Sequence, residues 1–282
     1  MQTRVPVLEN RRNSRFHRAT HAVVKSPAPA AETHALADGV VAVAPGLAWL
    51  VESRALLVAD AHLAYEDVVG GALPLWSTAE IVTTLGVVAA RLGAREIVFL
   101  GDIVHGSMMS DGAMRVVRDG LDVLRASCTV TLIAGNHEGK SRAFRVLGAT
   151  IESCERDGWL LVHGDRAAVL GTRTIIGHLH PSLHLGGGAA VPAFVASEML
   201  VCVPAFTPYS SGLDVLSDDF ARAIAHWNVV RSDAHVVAVT EDRVLPFGTL
   251  STLRETLRQR PTTNPAPPNV PRQFRRKLRP SS

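Results

Sequence analysis

The feature that most constrains the fold of this chain is a series of short apolar runs, each stopping at residues able to hold a metal ion. Leu57-Val-Ala-Asp60-Ala-His62 ends in a carboxylate and an imidazole, and Phe99-Leu-Gly-Asp102 in glycine and a carboxylate. Ile133-Ala-Gly-Asn136-His137-Glu138 ends in a carboxamide and an imidazole. Leu161-Val-His163-Gly-Asp165 and Ile176-Gly-His178-Leu-His180-Pro complete the series. The apolar runs read as buried strands at Ala55–Ala59, Ile97–Leu100, Val130–Ala134, Trp159–Val162 and Thr174–Ile176. Helical spacing appears at Thr78–Leu92, Gly112–Ala126 and Ser141–Leu147, and β-branched runs recur at Val191–Val195, Leu200–Val203 and Ala234–Val239. Strand alternating with helix, then mostly strand, predicts a layered α/β domain. Polar groups at the carboxyl ends of such strands converge on one cleft.

The two ends of the chain differ from its middle. Residues 1–31 carry a charge of +5 and residues 256–282 a charge of +7, which leaves −9 for 32–255. The first end is rich in arginine, serine and alanine and runs into Pro27-Ala-Pro29, the second is rich in proline and arginine, and neither has apolar periodicity, which predicts disorder. The expected organisation is therefore a basic tail at 1–38, a domain at 39–250 and a basic Pro/Arg-rich tail at 251–282. No apolar run approaches the roughly 18 residues of a membrane span; Ala35–Val51 is interrupted by Asp38 and Pro45. Arg11-Arg12 is followed by His21, Lys25 and prolines instead of the apolar core of an export signal, so a cytoplasmic location is expected. The Arg-rich start also has the composition of an organellar transit peptide, without its amphipathic pattern. Cys128, Cys154 and Cys202 sit in apolar stretches without metal-type spacing, which suits reduced thiols better than a disulfide framework.

Each ligand-bearing block taken alone reads as a turn, because Gly, Asp and Asn favour turns. Five consecutive strand ends, all carrying hard or borderline ligands, do not read that way. Carboxylate, carboxamide and imidazole suit Mn, Fe or Zn, and no thiolate is offered to narrow the choice. Two such ions roughly 3.5–4 Å apart neutralise phosphate oxygens and lower the pKa of water, which is phosphoester chemistry.

The order Asp-x-His, Gly-Asp, Gly-Asn-His-Glu, a lone His and Gly-His-x-His resembles the calcineurin-like metallophosphoesterase superfamily, over about Val40–Val215. Asp60-Ala-His-Leu-Ala-Tyr-Glu66 and Val203-Pro-Ala-Phe-Thr-Pro-Tyr-Ser-Ser-Gly-Leu-Asp-Val215 are similar to one branch of it. That branch is the DNA ligase-associated, DNA damage-response phosphoesterases. Two departures stand out: His163-Gly-Asp165 where the superfamily usually has His-Gly-His, and Ala64 where the first block usually continues with Gly.

The resemblance implies a four-layer α/β/β/α sandwich of two mixed sheets flanked by helices. It implies one metal held by Asp60, His62, Asp102 and His180, and a second by Asp102, Asn136, His163 and His178, with Asp102 bridging. A carboxylate can bridge two cations, whereas a neutral imidazole cannot. His137 resembles the superfamily's catalytic histidine, which steadies the phosphoryl oxygen or protonates the leaving group. His105, Tyr65, Glu66 and Asp165 are candidate substrate-facing or supporting residues, and His184 reads as structural. Three functions follow as expectations. The first is a Mn-dependent DNA endonuclease or phosphodiesterase in repair, with an ATP-dependent DNA ligase and a helicase as functional associates. The second is a phosphoesterase for nucleotides, cyclic nucleotides or other small esters. The third, a non-catalytic binding module, is disfavoured because every ligand block is intact.

Overall fold

The computed structural model describes residues 32–70, 74–106, 109–137, 147–166, 171–184, 190–227 and 234–259. Two mixed sheets lie at its centre. The first has six strands in sequence order: β1 (Thr33–Ala37), β2 (Val40–Val43), β3 (Leu47–Leu50), β4 (Ala55–Val58), β5 (Glu96–Leu100) and β6 (Thr129–Ile133). β1 to β4 form an antiparallel meander, while β4, β5 and β6 are parallel. The helices α2 (Trp76–Leu92) and α3 (Asp111–Arg125) supply the parallel crossovers, and a short α1 (Tyr65–Val69) precedes α2.

The second sheet contains β7 (Ser153–Arg156), β8 (Trp159–Val162), β9 (Thr174–Ile176), β10 (Pro181–Leu183), β11 (Val191–Ala196), β12 (Leu200–Cys202), β13 (Leu213–Asp214), β14 (His235–Val239) and β15 (Val244–Thr249). Its main path runs β13-β10-β11-β12-β9-β8-β7, with β14 and β15 branching from β11. β8, β9 and β12 are parallel. Two further helices, α4 (Asp218–Ala225) and α5 (Leu250–Gln259), follow β13 and β15.

Strand periodicity of two separates the layers. On β4, Leu56 and Val58 join the core beneath α2 and α3, while Ala55 and Leu57 face the second sheet. On β5, Ile97 and Phe99 take the first direction, and Val98 and Leu100 the second. Phe194 and Ala196 of β11 meet them from across the interface, whereas Ala193 and Val195 pack outward with Phe220, Ile224, Leu250 and Leu253. These three apolar cores between four layers are why the central strands read as unbroken apolar runs. Each fully buried Leu or Phe contributes about 1.5–3 kcal/mol. The expected α/β/β/α sandwich is the observed architecture.

The ordered structure exceeds the expected 39–250 domain at both ends. β1 falls inside the segment assigned to the first tail, because Asp38-Gly39 closes a tight hairpin onto β2. α5 crosses the boundary at 251, anchored by Leu250 and Leu253, which are buried under the second sheet. The helix expected at Ser141–Leu147 lies outside the described residues except for Leu147, which is buried in the first core. No helix among the described residues is long and apolar enough to cross a membrane.

Candidate metal centre

The ladder between β4 and β5 does not stop where the strands end. Asp60 N–H donates to Gly101 O at 3.3 Å, His62 N–H to Asp102 O at 3.0 Å and Leu63 N–H to Ile103 O at 2.7 Å. The two ligand-bearing loops therefore stay in register. On the other sheet, Gly177 N–H donates to the carbonyl of His163 at 2.9 Å, holding the last two blocks together.

Local backbone conformation is unusual in the same places. Asp60, His62, Asp102, His178 and His180 all have φ between 43° and 60°, the left-handed region that side chains other than glycine rarely adopt. Five such residues among the predicted ligands are strained positions held by their surroundings, and such strain clusters at functional sites. Two glycines make the close packing possible. A Cβ on Gly101 would overlap the His163 ring, and one on Gly177 would lie 2.6 Å from Asp60 Oδ2.

These constraints bring the predicted residues together in two groups: Asp60, His62 and His180, and Asp102, His163 and His178. The ligand atoms within each group lie within 4.8 Å of one another. Asp60, His62, Asp102 and His163 are buried. His163 joins the groups, with Nδ1 3.8 Å from Asp60 Oδ1 and Nε2 3.5 Å from Asp102 Oδ2. The Asn136 carboxamide oxygen stands 2.9 Å from His163 Nε2, so the residue predicted for the second ion lies beside the second group.

The donor set suits cations. His163 Nδ1 sits 2.9 Å from the Leu100 carbonyl, which accepts its proton and turns Nε2 inward. Nε2 then faces Asn136 Oδ1, Asp102 Oδ2 and His178 Nδ1, the last at 3.2 Å. Four electron-rich atoms converging this way need a proton or a metal among them. Asp60 Oδ1 is buried without a hydrogen-bond donor, although His180 Nε2 stands 3.1 Å away. A buried carboxylate oxygen that receives no hydrogen bond is costly unless a cation satisfies it. The residues present fit two metal ions.

The electrostatics agree. Burial opposes charge on His163, but the hydrogen bond to Asp102 and the charges of Asp60 and Asp102 prevail and raise its pKa to about 9. Burial likewise opposes charge on Asp102, yet its contacts with His163 and the His137 amide lower it to about 2. Burial lowers His62 to about 4 against the pull of Asp60, which leaves a neutral imidazole of the kind metals bind.

The candidate substrate-facing residues divide. His137 donates its amide to Asp102 Oδ1 at 3.0 Å, and its half-exposed ring reaches to 3.7 Å from Asp102 Oδ2. His105 stacks on His137 with centroids 4.7 Å apart, and its Nδ1 is 3.2 Å from His62 Nδ1. Tyr65 packs beside His105 and stacks on Tyr209, each with centroids 4.7 Å apart. Glu66 is buried away from both ligand groups, where Oε1 accepts from the Tyr209 hydroxyl and the Ser77 amide, both at 3.0 Å. Asp165 is exposed on the loop after His163. His184 is exposed and contacts Ser182, apart from both groups.

Two residues were not singled out from the sequence. Ser210 Oγ lies 2.8 Å from His180 Nδ1 and orients that ring, while Tyr209 closes the aromatic row. Both belong to the late Thr-Pro-Tyr-Ser-Ser-Gly stretch, whose resemblance to one branch was the available signal.

No family model and no curated protein matches this chain. Among solved structures, it is similar to the Pseudomonas putida nuclease MPE, with a TM-score of 0.59 and 22% identity over 77% of this chain and all of that one. Lower similarities are to Yfce, an E. coli phosphoesterase (TM-score 0.32, 17% identity, 57% of this chain and 81% of that one), and to a Sphaerobacter thermophilus metallophosphoesterase (0.28, 13%, 72% and 93%). At the level of fold, this chain is a two-sheet sandwich of the kind the nuclease adopts.

Proposed function

We propose that this protein is a binuclear metal-dependent phosphoesterase that hydrolyses phosphodiester bonds, with DNA as the substrate and manganese as the metal. The observation that carries the reading is the pair of carboxylate–imidazole groups joined through His163, with Asp60 Oδ1 buried and facing only imidazole nitrogens among the described residues. When bound, two divalent ions supply Lewis acidity toward phosphoryl oxygens and lower the pKa of water. The superfamily resemblance would have Asp102 serve both ions; in this chain its Oδ1 accepts from the His137 amide and its Oδ2 lies beside His163. His137 stands at the mouth, where its imidazole gives a proton to the departing oxygen. His105 stacks on that ring, and Tyr65 packs on His105 in turn.

DNA is supported by the shared fold with a protein described as a nuclease, by the late sequence block, and by the basic ends, which suit a phosphate backbone. The resemblance also suggests functional association with an ATP-dependent ligase and a helicase. The net charge of −9 on residues 32–255 favours a second reading, a phosphoesterase for nucleotides or other small esters. The test is turnover of bis(p-nitrophenyl) phosphate and nicking of DNA by metal-free protein supplied with Mn²⁺. Hydrolysis of the chromogenic diester without DNA cleavage moves the assignment to small esters. Failure on both overturns the phosphoesterase.

A further inference from the structure

Beside the second ligand group lies a cavity of about 210 Å³ that the reaction described above does not use. Leu160, Val162 and Trp227 give it an apolar wall, and Asp165 and Arg166 give it a polar edge. His163 is shared between the cavity and the metal centre. Trp227 follows α4 and is partly buried against the outer core of the second sheet, so that core braces the ring while it also lines the cavity. Arg166 is paired at 3.2 Å with the exposed Glu152, which also lines the cavity, and among the described residues Asp165 has no such ion pair. Asp165 also stands where the superfamily pattern usually has histidine.

We infer that this cavity is a nucleobase subsite, in which Trp227 stacks on the base of the nucleotide next to the scissile phosphate and Asp165 accepts from its amino edge. The inference rests on the proposed phosphoesterase reading, and it holds for either a nucleic-acid or a nucleotide substrate because both carry a base. The volume argues for one planar group, since pockets enclosing whole ligands run to roughly 300–1,000 Å³. An apolar wall with a polar edge, on which the Glu152 carboxylate is taken up by Arg166 and the Asp165 carboxylate is not, matches a base, whose faces are apolar and whose rim is polar. Unpaired bases are recognised in this way, by stacking on aromatics and by hydrogen bonds to the base edge.

The carboxylate gives the subsite a sign. It has no proton to donate, so it favours bases that present donors. Guanine offers N1–H and N2–H side by side to the two carboxylate oxygens, and adenine and cytosine offer one amino group. The single N–H of thymine lies between two carbonyl oxygens, which a carboxylate repels. The expected order is guanine, then adenine and cytosine, then thymine.

The experiment compares kcat/KM for the four homodinucleotides with Mn²⁺, alongside turnover of bis(p-nitrophenyl) phosphate. The unaltered protein is expected to prefer the guanine dinucleotide to the thymine one by roughly tenfold, the scale of one good base-edge contact. Asp165→Asn, on an exposed loop, should collapse that ratio because a carboxamide can donate as well as accept. Trp227→Ala should raise KM for all four dinucleotides by roughly tenfold, as loss of a stacked base predicts. Trp227→Phe should recover most of that loss, which excludes a folding defect. A ratio near one in the unaltered protein, or a ratio that Asp165→Asn leaves in place, overturns the subsite while chromogenic turnover keeps the phosphoesterase standing. Absence of metal-dependent turnover on every substrate overturns both.

Discussion

The amide of His178 donates to Asp60 Oδ2 at 2.9 Å, so a residue of one ligand group fixes the carboxylate of the other. The His137 amide, from outside both groups, holds Asp102 Oδ1 at 3.0 Å. Each carboxylate thus has one oxygen held by backbone and the other turned toward imidazoles. This division depends on the left-handed backbone at Asp60, Asp102 and His178.

Gly177 should be intolerant for that reason. Its missing Cβ leaves room for Asp60 Oδ2 and for Ala59 Cβ, which would otherwise stand 2.6 Å and 2.9 Å away. In Gly177→Ala the backbone below is rigid strand, so the Asp60 carboxylate must move, at an overpacking cost of about 1–3 kcal/mol. The expected outcome is a folded protein by circular dichroism that retains less than two equivalents of Mn²⁺. Full occupancy in this variant would show that Asp60 is not a ligand.

Histidine 137 and Asp102 separate catalysis from metal retention. His137 belongs to neither ligand group, while Asp102 is buried at the junction. His137→Ala should keep its metal and lose turnover by about 10²–10⁴-fold. Asp102→Ala should lose both. Metal loss in the His137 variant would reassign that residue as a ligand.

The contrast between these residues and others shows what was legible beforehand. Apolar runs such as Leu56 to Val58 and Ile97 to Leu100 announced central strands because both of their faces are buried. Asp60, His62, Asp102, Asn136, His163, His178 and His180 were legible because their spacing follows strand ends in a recognisable order. β1 to β3 were harder, since their shortness gives little periodicity, and the Asp38-Gly39 hairpin between β1 and β2 went unread. The partnership of Glu66 with Tyr209 spans 143 residues, and Trp227 reaches the cavity beside His163 only through the packing of α4. Contacts of that range leave no local pattern to read.

Ala64 tests a departure from the superfamily pattern. It occupies the left-handed region at φ 57° and ψ 32°, where glycine is at ease, and it is fully buried. Replacing it with glycine relieves about 1–2 kcal/mol of backbone strain. It also gives back about 0.5–1 kcal/mol of chain entropy and about 0.8 kcal/mol of methyl burial. These terms nearly cancel, so Ala64→Gly should lie within about 1 kcal/mol of neutral in urea denaturation. Ala64→Val adds β-branching and volume in the same place and should cost at least about 2 kcal/mol. A large loss in the glycine variant would mean that the methyl contact outweighs the strain.

The pH dependence of stability should report on Glu96, which links the two sheets. From β5 it accepts from Arg156 of β7, with Nε–Oε2 at 2.8 Å and Nη2–Oε1 at 2.9 Å, and from Thr131 Oγ1 at 2.5 Å. Burial alone would raise the carboxyl, but the hydrogen bonds from Arg156 and Thr131 and the guanidinium charge outweigh it and hold Glu96 below its ordinary value of 4.5. A group whose pKa is lower in the folded protein than in the unfolded chain binds fewer protons when folded. Its stabilisation is therefore complete above the unfolded value, about 4.3 for glutamate, and fades as pH falls through the lower folded value. Arg156 is about one-third exposed, so solvent screens part of this effect. Urea denaturation of the metal-free protein and of Glu96→Gln, both measured from pH 7 down to pH 3, isolates the contribution. The two proteins share every other titrating carboxylate, so their difference in stability belongs to this one. It should be largest near neutral pH and shrink below about pH 4.5. Parallel curves across the whole range would mean that the Glu96–Arg156 link adds nothing to the joining of the sheets.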